Sequence, residues 1–490
     1  MSEKSLAEET QESGESDLPK GEAFGAECVE IYSKSVRENN RIRNSIDRIS
    51  ALPDCLLVHI ISFLGLKKAA TTSILAKRWQ FLWAEIRSLE FDFYDWGKSK
   101  ETKNTADFVA WVNRIIATRR GNYLEKLKVS FEYEDCFATD VDNWLEFAIK
   151  NKVEEFTLRT NYSKDLYILP EMMYCNLSLT SLSLEGCILD PERTIVWSSL
   201  TKLELSRVDL PEYVVEKILS GSPVLNSLEL SMCWGFTCLE INSKNLNKLV
   251  VSESEEEEGS EPFLQISAPY LKDLNLWLCP TQSQLKLKNI SSLVSASFNY
   301  SDPFGHLTSE DVSNTKEVFE KIEHVKELHL GPGPVKALAA LVLNGWRLPK
   351  YKLRCLKIEL FCSALETIPG ILGLLECSPD IETLVIACED PFALDDIWGP
   401  LAKDNLVCDL LHLKTIKLIG LGVPDLDGEP LLTLAQILLK RTPVLEDMDI
   451  DIDCEDSDDF DTVEQTLLRY PRSSPKAVIN VVDEFDFSTL

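Results

Sequence analysis

Apolar residues recur at positions one, four and six of a short phrase that is repeated along most of the chain. "LEKLKVSF" starts at Leu124, "LTSLSLEG" at Leu179, "LTKLELSR" at Leu200, "LNSLELSM" at Leu225, "LKDLNLWL" at Leu271 and "IETLVIAC" at Ile381. Thirteen copies start 21 to 32 residues apart between Leu124 and Leu445, with "LVSASFNY" a degenerate one. The alternation predicts a short strand in each copy. Short helical or irregular segments lie between the strands, and the stretches "YVVEKILSGSPVLNSLEL", "GILGLLECSPDIETLVI" and "AQILLKRTPVLEDMDI" repeat one unit: an amphipathic helix, a Ser/Thr-Pro turn, then the next strand. Proline stops each helix and the strand follows at once.

That period is the range of a leucine-rich repeat. One such unit cannot bury its strand face, but stacked units can, so the phrase predicts about thirteen strands in one parallel sheet curved into a solenoid. The run Glu253–Glu258 interrupts one repeat and predicts an exposed acidic loop over 252–261.

The N-terminal part follows a different pattern. Residues 1–43 are poor in apolar residues and predict a disordered acidic tail. From 44 to 90 the periodicity turns helical. "RISALPDCLLVHIISFLGLKKAATTSILAKRWQFLW" predicts three short helices, with Asp54 capping the first and Gly65 ending it. Leu56, Ile60, Phe63 and Leu64 fall on one face, Leu57 and Ile61 on another. The third helix carries Ile74, Leu75, Trp79, Leu82 and Trp83. A unit this small cannot bury apolar residues on so many faces, so part of that surface is meant for a partner.

Charge sharpens the contrast. The 490-residue chain has a formal charge of −30, yet residues 41–83 hold seven Lys/Arg against two Asp/Glu, a balance of +5. The overall acidity argues against nucleic acid as a partner. No apolar leader follows Met1 and no run of 18 apolar residues occurs, so the expectation is a protein neither secreted nor membrane-bound, in nucleus or cytoplasm. The 14 cysteines include no Cys-x-x-Cys, and the tightest pairs, Cys233/Cys238 and Cys355/Cys362, have no histidine beside them. No zinc site is expected, and the thiols read as reduced. The chain has no phosphate-binding loop, His-Glu-x-x-His or Gly-x-Ser-x-Gly, and His324 and His329 read as surface residues around a strand. No catalytic, cofactor or metal residue is therefore expected.

At this point the residues carry a resemblance. "ALPDCLLVHIISFLGLKKAATTSILAKRW" resembles an F-box through Leu52-Pro53, Ile60, Leu64, the run Lys77-Arg78-Trp79, and Leu82. With the repeats, it resembles the plant F-box/leucine-rich-repeat proteins. "YKLRCLKIELFCSALETIPGILGLLECSPDIETLVI" and "LLRYPRSSPKAVINV" resemble the start and close of the FBD region that many of them carry. Cys55, Gly65 and Lys68 depart from the family pattern, which has an acidic residue, Pro and Asp there.

The resemblance implies an α/β architecture: a three-helix F-box over 44–90, repeats over 91–345 and FBD-like C-terminal repeats over 346–490. It also implies docking on a Skp-type adaptor, and through it on a cullin and a RING protein. The adaptor contacts would be Leu52, Pro53, Leu56, Ile60, Leu64, Lys77, Arg78, Trp79 and Leu82. Skp-type adaptors are acidic as a family, which suits the +5 balance. The repeats would then hold a protein target for ubiquitination, with Glu204, Glu229, Asn275, His329 and Glu382 as candidate contacts. Two other readings remain open at this stage: an interaction module without ubiquitination, and a small-ligand sensor built on the repeats.

Overall fold

The computed structural model describes residues 49, 51–96, 104–119, 123–160, 165–236, 238–252, 263–278, 284–300, 307–360, 367–388, 409–422, 430–453 and 457–482. The tail 1–43 and nearly all of the acidic loop (253–261) lie outside the described residues.

The repeated phrase forms one parallel sheet of 15 strands arranged in chain order. It starts with Ser88–Asp92, Lys126–Ser130 and Glu155–Arg159, and runs through Lys202–Ser206, Asp273–Leu278 and Glu327–Leu330 to Asp447–Asp453 and Val478–Val482. Two strands exceed the thirteen expected. The first comes from "IRSLEFDF", which has Ile86, Leu89 and Phe91 at positions one, four and six but lies 38 residues ahead of the next copy. The last comes from "KAVINVV", where Lys476 takes position one and only Ile479 and Val481 keep the pattern.

Positions four and six point into the core in almost every repeat. Leu203 and Leu205, Leu228 and Leu230, and Leu356 and Ile358 are all at most 2% exposed. Burying each such side chain stabilises the stack by about 1.5–3 kcal/mol. Helix residues such as Val214, Val215 and Ile218 of Glu212–Gly221, and Ile371 and Leu375 of Ile368–Glu376, belong to the same cluster. Helices cover one face of the sheet, and in its middle the three-stranded sheet of Cys238–Asn242, Phe263–Ser267 and Gln284–Lys288 takes their place, leaving positions three, five and seven on the other, open face.

A backbone spine joins the repeats at position two. Its carbonyl accepts from the amides of positions two and three of the next repeat. Thr201 O accepts from Asn226 and Ser227, Asn226 O from Asn247 and Lys248, and Lys326 O from Arg354 and Cys355. Neighbouring repeats are thereby fixed in register, with one shift, between Leu418 and Leu421, where Thr415–Gly422 pairs with Asp447–Asp453.

Three successive repeats share a further device. Position eight is left-handed at Gly186 (φ 68°), Arg207 (φ 51°) and Met232 (φ 53°), which turns the chain so that position nine is buried as Cys187, Val208 or Cys233. Gly186 has a second reason to be glycine, since a Cβ there would lie 1.9 Å from Thr160 Oγ1. The Cys233 thiol donates to Leu205 O at 3.5 Å, in the repeat before. Burial pushes the thiols of both Cys187 and Cys233 up to about 12.

The N-terminal end of the sheet is closed by aromatics. Phe91, Phe108, Trp111, Phe131 and Trp144 pack against one another, Phe108 stacked on Phe131 and the other pairs edge-on or tilted, joined by the helices Thr105–Thr118 and Ala138–Lys150. The boundary expected at residue 90 falls inside the first strand, and the sheet runs unbroken past 345/346. The FBD-like segments supply its strands Cys355–Leu360, Thr383–Cys388 and Val478–Val482.

Ahead of the sheet, the expected three-helix unit is present with one change. Asp54–Ser62 and Leu66–Thr71 are α-helical, but the third element is a chain of 3-10 turns at Thr72–Ile74, Lys77–Trp79 and Leu82–Glu85. Asp54 does not cap the first helix. Pro53 takes that position, with no side-chain cap.

Candidate functional site

Two surfaces stand out, one on the helical unit and one on the open face of the sheet. In the helical unit, Leu57 and Ile61 lie one turn apart on one face of the first helix. They pack with Ala69, Trp79, Leu82 and Ile86 in a cluster separate from the solenoid core. Leu52, Val58 and Trp83 lie half-buried against that cluster.

The neighbouring face of the same helix, continued by the two residues after it, is open. Leu56 is 46% exposed, Ile60 44%, Phe63 78% and Leu64 38%. Ile74, Leu75 and Phe81 on the following turns are also exposed, as is Ile49 before the helix. These eight are among 25 exposed large apolar side chains in the described residues, and they fall within 33 positions. Apolar surface this concentrated marks a docking face rather than ordinary scatter.

The expected adaptor residues divide accordingly. Leu56, Ile60 and Leu64 share the open face, with Pro53 exposed at the head of the helix. Leu52 is half-buried and Lys77 is exposed. Trp79 and Leu82, each 5% exposed, are not brought to that face, because the turns at 77–79 and 82–85 direct them into the unit's own core.

Arg78 has an internal role. Its Nε donates to Asp54 Oδ1 at 2.7 Å, and its Nη2 lies 2.6 Å from that oxygen and donates to Leu52 O at 2.7 Å. It holds the Leu52-Pro53 entry against the third element. Sequence reasoning left Phe63, Ile74, Leu75 and Phe81 out of the contact set. The signal for Phe63 was present, at helical spacing from Ile60. For Ile74 and Leu75 it was not, because a continuous third helix would have placed them with Trp79 and Leu82.

On the sheet, parallel register aligns the open positions into rows. Glu204 pairs with Glu229, Glu229 with Val250, Val250 with Asn275, Asn275 with Ser297, and Ser297 with His329. Four of the five candidate target contacts thus share the position-five row. Glu382 does not. It sits at position two, in the spine at the strand entry, and pairs with Arg354 at 3.4 Å. Trp277, at position seven and 46% exposed, is a row residue that sequence reasoning did not single out.

Much of this face is internally neutralised. Glu90 pairs with Lys126 at 2.8 Å, Glu204 pairs with Lys202, His329 Nε2 meets Glu359 at 3.0 Å and Lys417 meets Asp449 at 3.6 Å. The hydrogen bond from Lys126 holds the Glu90 carboxyl below its usual range. At Glu204 burial pushes upward, but the Lys202 hydrogen bond and charge outweigh it. At Glu359 the hydrogen bond from His329 lowers the carboxyl against the opposing effect of burial. Among the described residues, no group of three or more His, Cys, Asp or Glu is arranged to hold a metal ion. No described helix is long and apolar enough to cross a membrane.

Comparison with known proteins agrees with both halves. The F-box domain profile matches residues 49–90, and the profile described as At1g61320/AtMIF1, LRR domain, matches 115–465. F-box/LRR-repeat protein At5g02910 of Arabidopsis thaliana is 31% identical over 356 residues, covering 70% of this chain and 72% of the relative. F-box/LRR-repeat protein At3g03360 is 29% identical over 361 residues, 70% and 71% respectively. F-box/FBD/LRR-repeat protein At5g22660 is 25% identical over 459 residues, 90% of this chain and 97% of the relative. A small helical unit with an open apolar face, followed at once by a parallel repeat sheet, is thus matched profile by profile and along most of its length: the chain belongs to the F-box/LRR-repeat family.

Proposed function

We propose that this chain is the substrate-recognition subunit of an SCF-type cullin–RING ubiquitin ligase. The observation that carries the reading is the open face of Leu56, Ile60, Phe63 and Leu64 on a helix whose other face is already packed. That face docks on a Skp-type adaptor. Such an interface needs a desolvated apolar centre with a polar rim. The exposed Lys67, Lys68 and Lys77 supply a basic rim for an acidic partner.

The repeat sheet holds the target protein. In this role the chain carries no chemistry of its own. It raises the effective concentration of a target lysine beside a charged ubiquitin-conjugating enzyme, which is catalysis by proximity.

The test is reconstitution. The purified chain is titrated with Skp-type adaptors, and the assembled complex is assayed for ubiquitin transfer to proteins captured by the repeats. Adaptor binding that is lost in Leu56→Asp/Ile60→Asp, with the melting transition of the repeats unchanged, supports the reading. Absence of binding to every adaptor by the wild-type chain overturns it.

A further inference from the structure

We propose that the open face around Trp277 binds a basic, extended peptide segment of the target, with an arginine or lysine side chain against the indole. This rests on the reading of the repeats as the target-holding part.

Trp277 is the large aromatic among the open positions of its own strand and the two strands beside it, which otherwise carry Lys248, Val250, Asp273 and short serine and asparagine side chains, and nearly half its surface is open. Its in-register neighbours on either side are Ser252 and Asn299, both shorter than the indole. An exposed tryptophan between short side chains is an anchor position, and its π face attracts a cation.

The charges nearby have the matching sign. Across the five strands from Ser227–Ser231 to Glu327–Leu330 the open positions carry Glu229, Asp273 and Glu327 against the single cation Lys248. None of the four has an ion-pair partner among the described residues, whereas Glu90, Glu204, Glu359 and Asp449 elsewhere on the face are paired. The patch is therefore acidic and unsatisfied where the aromatic anchor sits. Five parallel strands span about 19 Å between the outer two. That length suits several residues of extended chain crossing the rows. Every strand in the patch is already paired on both edges, so recognition is by side chains and not by addition of a strand.

The experiment selects a random linear peptide library on the full-length chain. Enriched peptides are synthesised and titrated by fluorescence polarisation against the wild type, Trp277→Ala, Trp277→Phe and Glu229→Gln/Asp273→Asn. The expected result is enrichment of Arg- and Lys-bearing peptides. Their affinity falls about tenfold in Trp277→Ala, less in Trp277→Phe, and severalfold in the double carboxamide variant and at raised salt. Neutral or acidic winners, affinity indifferent to Trp277→Ala, or no enrichment each overturn the proposal.

Adaptor binding is measured on the same preparations. It stays unchanged in all three variants, because the anchor lies on the sheet and not on the F-box. Loss of adaptor binding by the wild-type chain, with peptide binding intact, would count against the ligase reading alone.

Discussion

The two faces of the helix Asp54–Ser62 make opposite predictions for substitutions as little as three residues apart. Full burial of a Phe, Leu or Ile side chain is worth about 1.5–3 kcal/mol. Phe63 has 78% of its surface left to bury and Ile60 44%. Scaled by those fractions, Phe63→Ala weakens adaptor binding by about 2 kcal/mol, or roughly 30-fold in Kd, and Ile60→Ala by about 1 kcal/mol, or roughly fivefold. Neither change touches the F-box core, so folding is unaffected.

Leu57 is 0% exposed in a cluster of only six buried residues. Leu57→Ala removes about 2–5 kcal/mol of folding energy, enough to unfold so small a unit, and abolishes binding through loss of the fold. The assay is calorimetric titration with the adaptor beside hydrogen-exchange protection of residues 52–86. If Phe63→Ala/Ile60→Ala binds within twofold of wild type while still folded, the open face is not the docking face.

Other consequences are equally concrete. Glu90, Glu204 and Glu359 have lowered carboxyl pKa values in the folded chain, so their contribution is full at neutral pH and is lost as pH falls through those values. The Tm should drop below about pH 4.3, and the triple Glu→Gln variant should show a flatter acid limb; parallel limbs would dismiss the three pairs as contributors. Exposed Cys55 and Cys175 should react with a thiol reagent at pH 8 in the native chain, while Cys187 and Cys233, buried and with thiols raised to about 12, should react only on unfolding. Ser222 and Ser378, buried at the helix-to-strand turn with no partner for either hydroxyl among the described residues, should tolerate Ala with unchanged or higher Tm. A loss of more than about 1 kcal/mol there would mean that the hydroxyls are satisfied.

The repeat sheet was legible because one apolar phrase recurs, and the reading weakened where the phrase did. "IRSLEFDF" obeys the pattern but stands 38 residues from its neighbour, since the helix Thr105–Thr118 is inserted between them. Lys476 hides the last strand, which as an edge has less to bury. Cys187 and Cys233 looked like scattered thiols because their common position nine shows only once the left-handed turn at position eight is seen. In the F-box, helical spacing puts Leu56 and Ile60 on one face, which the structure leaves exposed, whereas Trp79 and Leu82 lie in the unit's own core, since 3-10 turns rotate side chains by a different angle per residue. Glu382 was assigned to the open face by counting one position out of phase, the error that a period of two makes most costly.

The junction between the two units bears directly on the proposed proximity mechanism. Ile86 belongs to the F-box cluster and Leu89 to the solenoid core, so two residues separate the cores. Arg119, at the end of the helix Thr105–Thr118, donates to Ile86 O at 2.6 Å and to Tyr123 O at 2.8 Å, and Leu66 of the F-box packs against the solenoid cluster. A flexible linker would dilute the target over a volume that grows with its length. A two-residue connection braced by a guanidinium and an apolar contact restricts that volume. Phe91, Phe108 and Phe131 are buried within the solenoid's own core, and the F-box contributes the half-buried Leu66 to that end of it. Residues 84–490 should keep their thermal transition without the F-box. If that fragment aggregates or loses its transition, the F-box is also the cap of the solenoid, and docking and folding are coupled through Ile86.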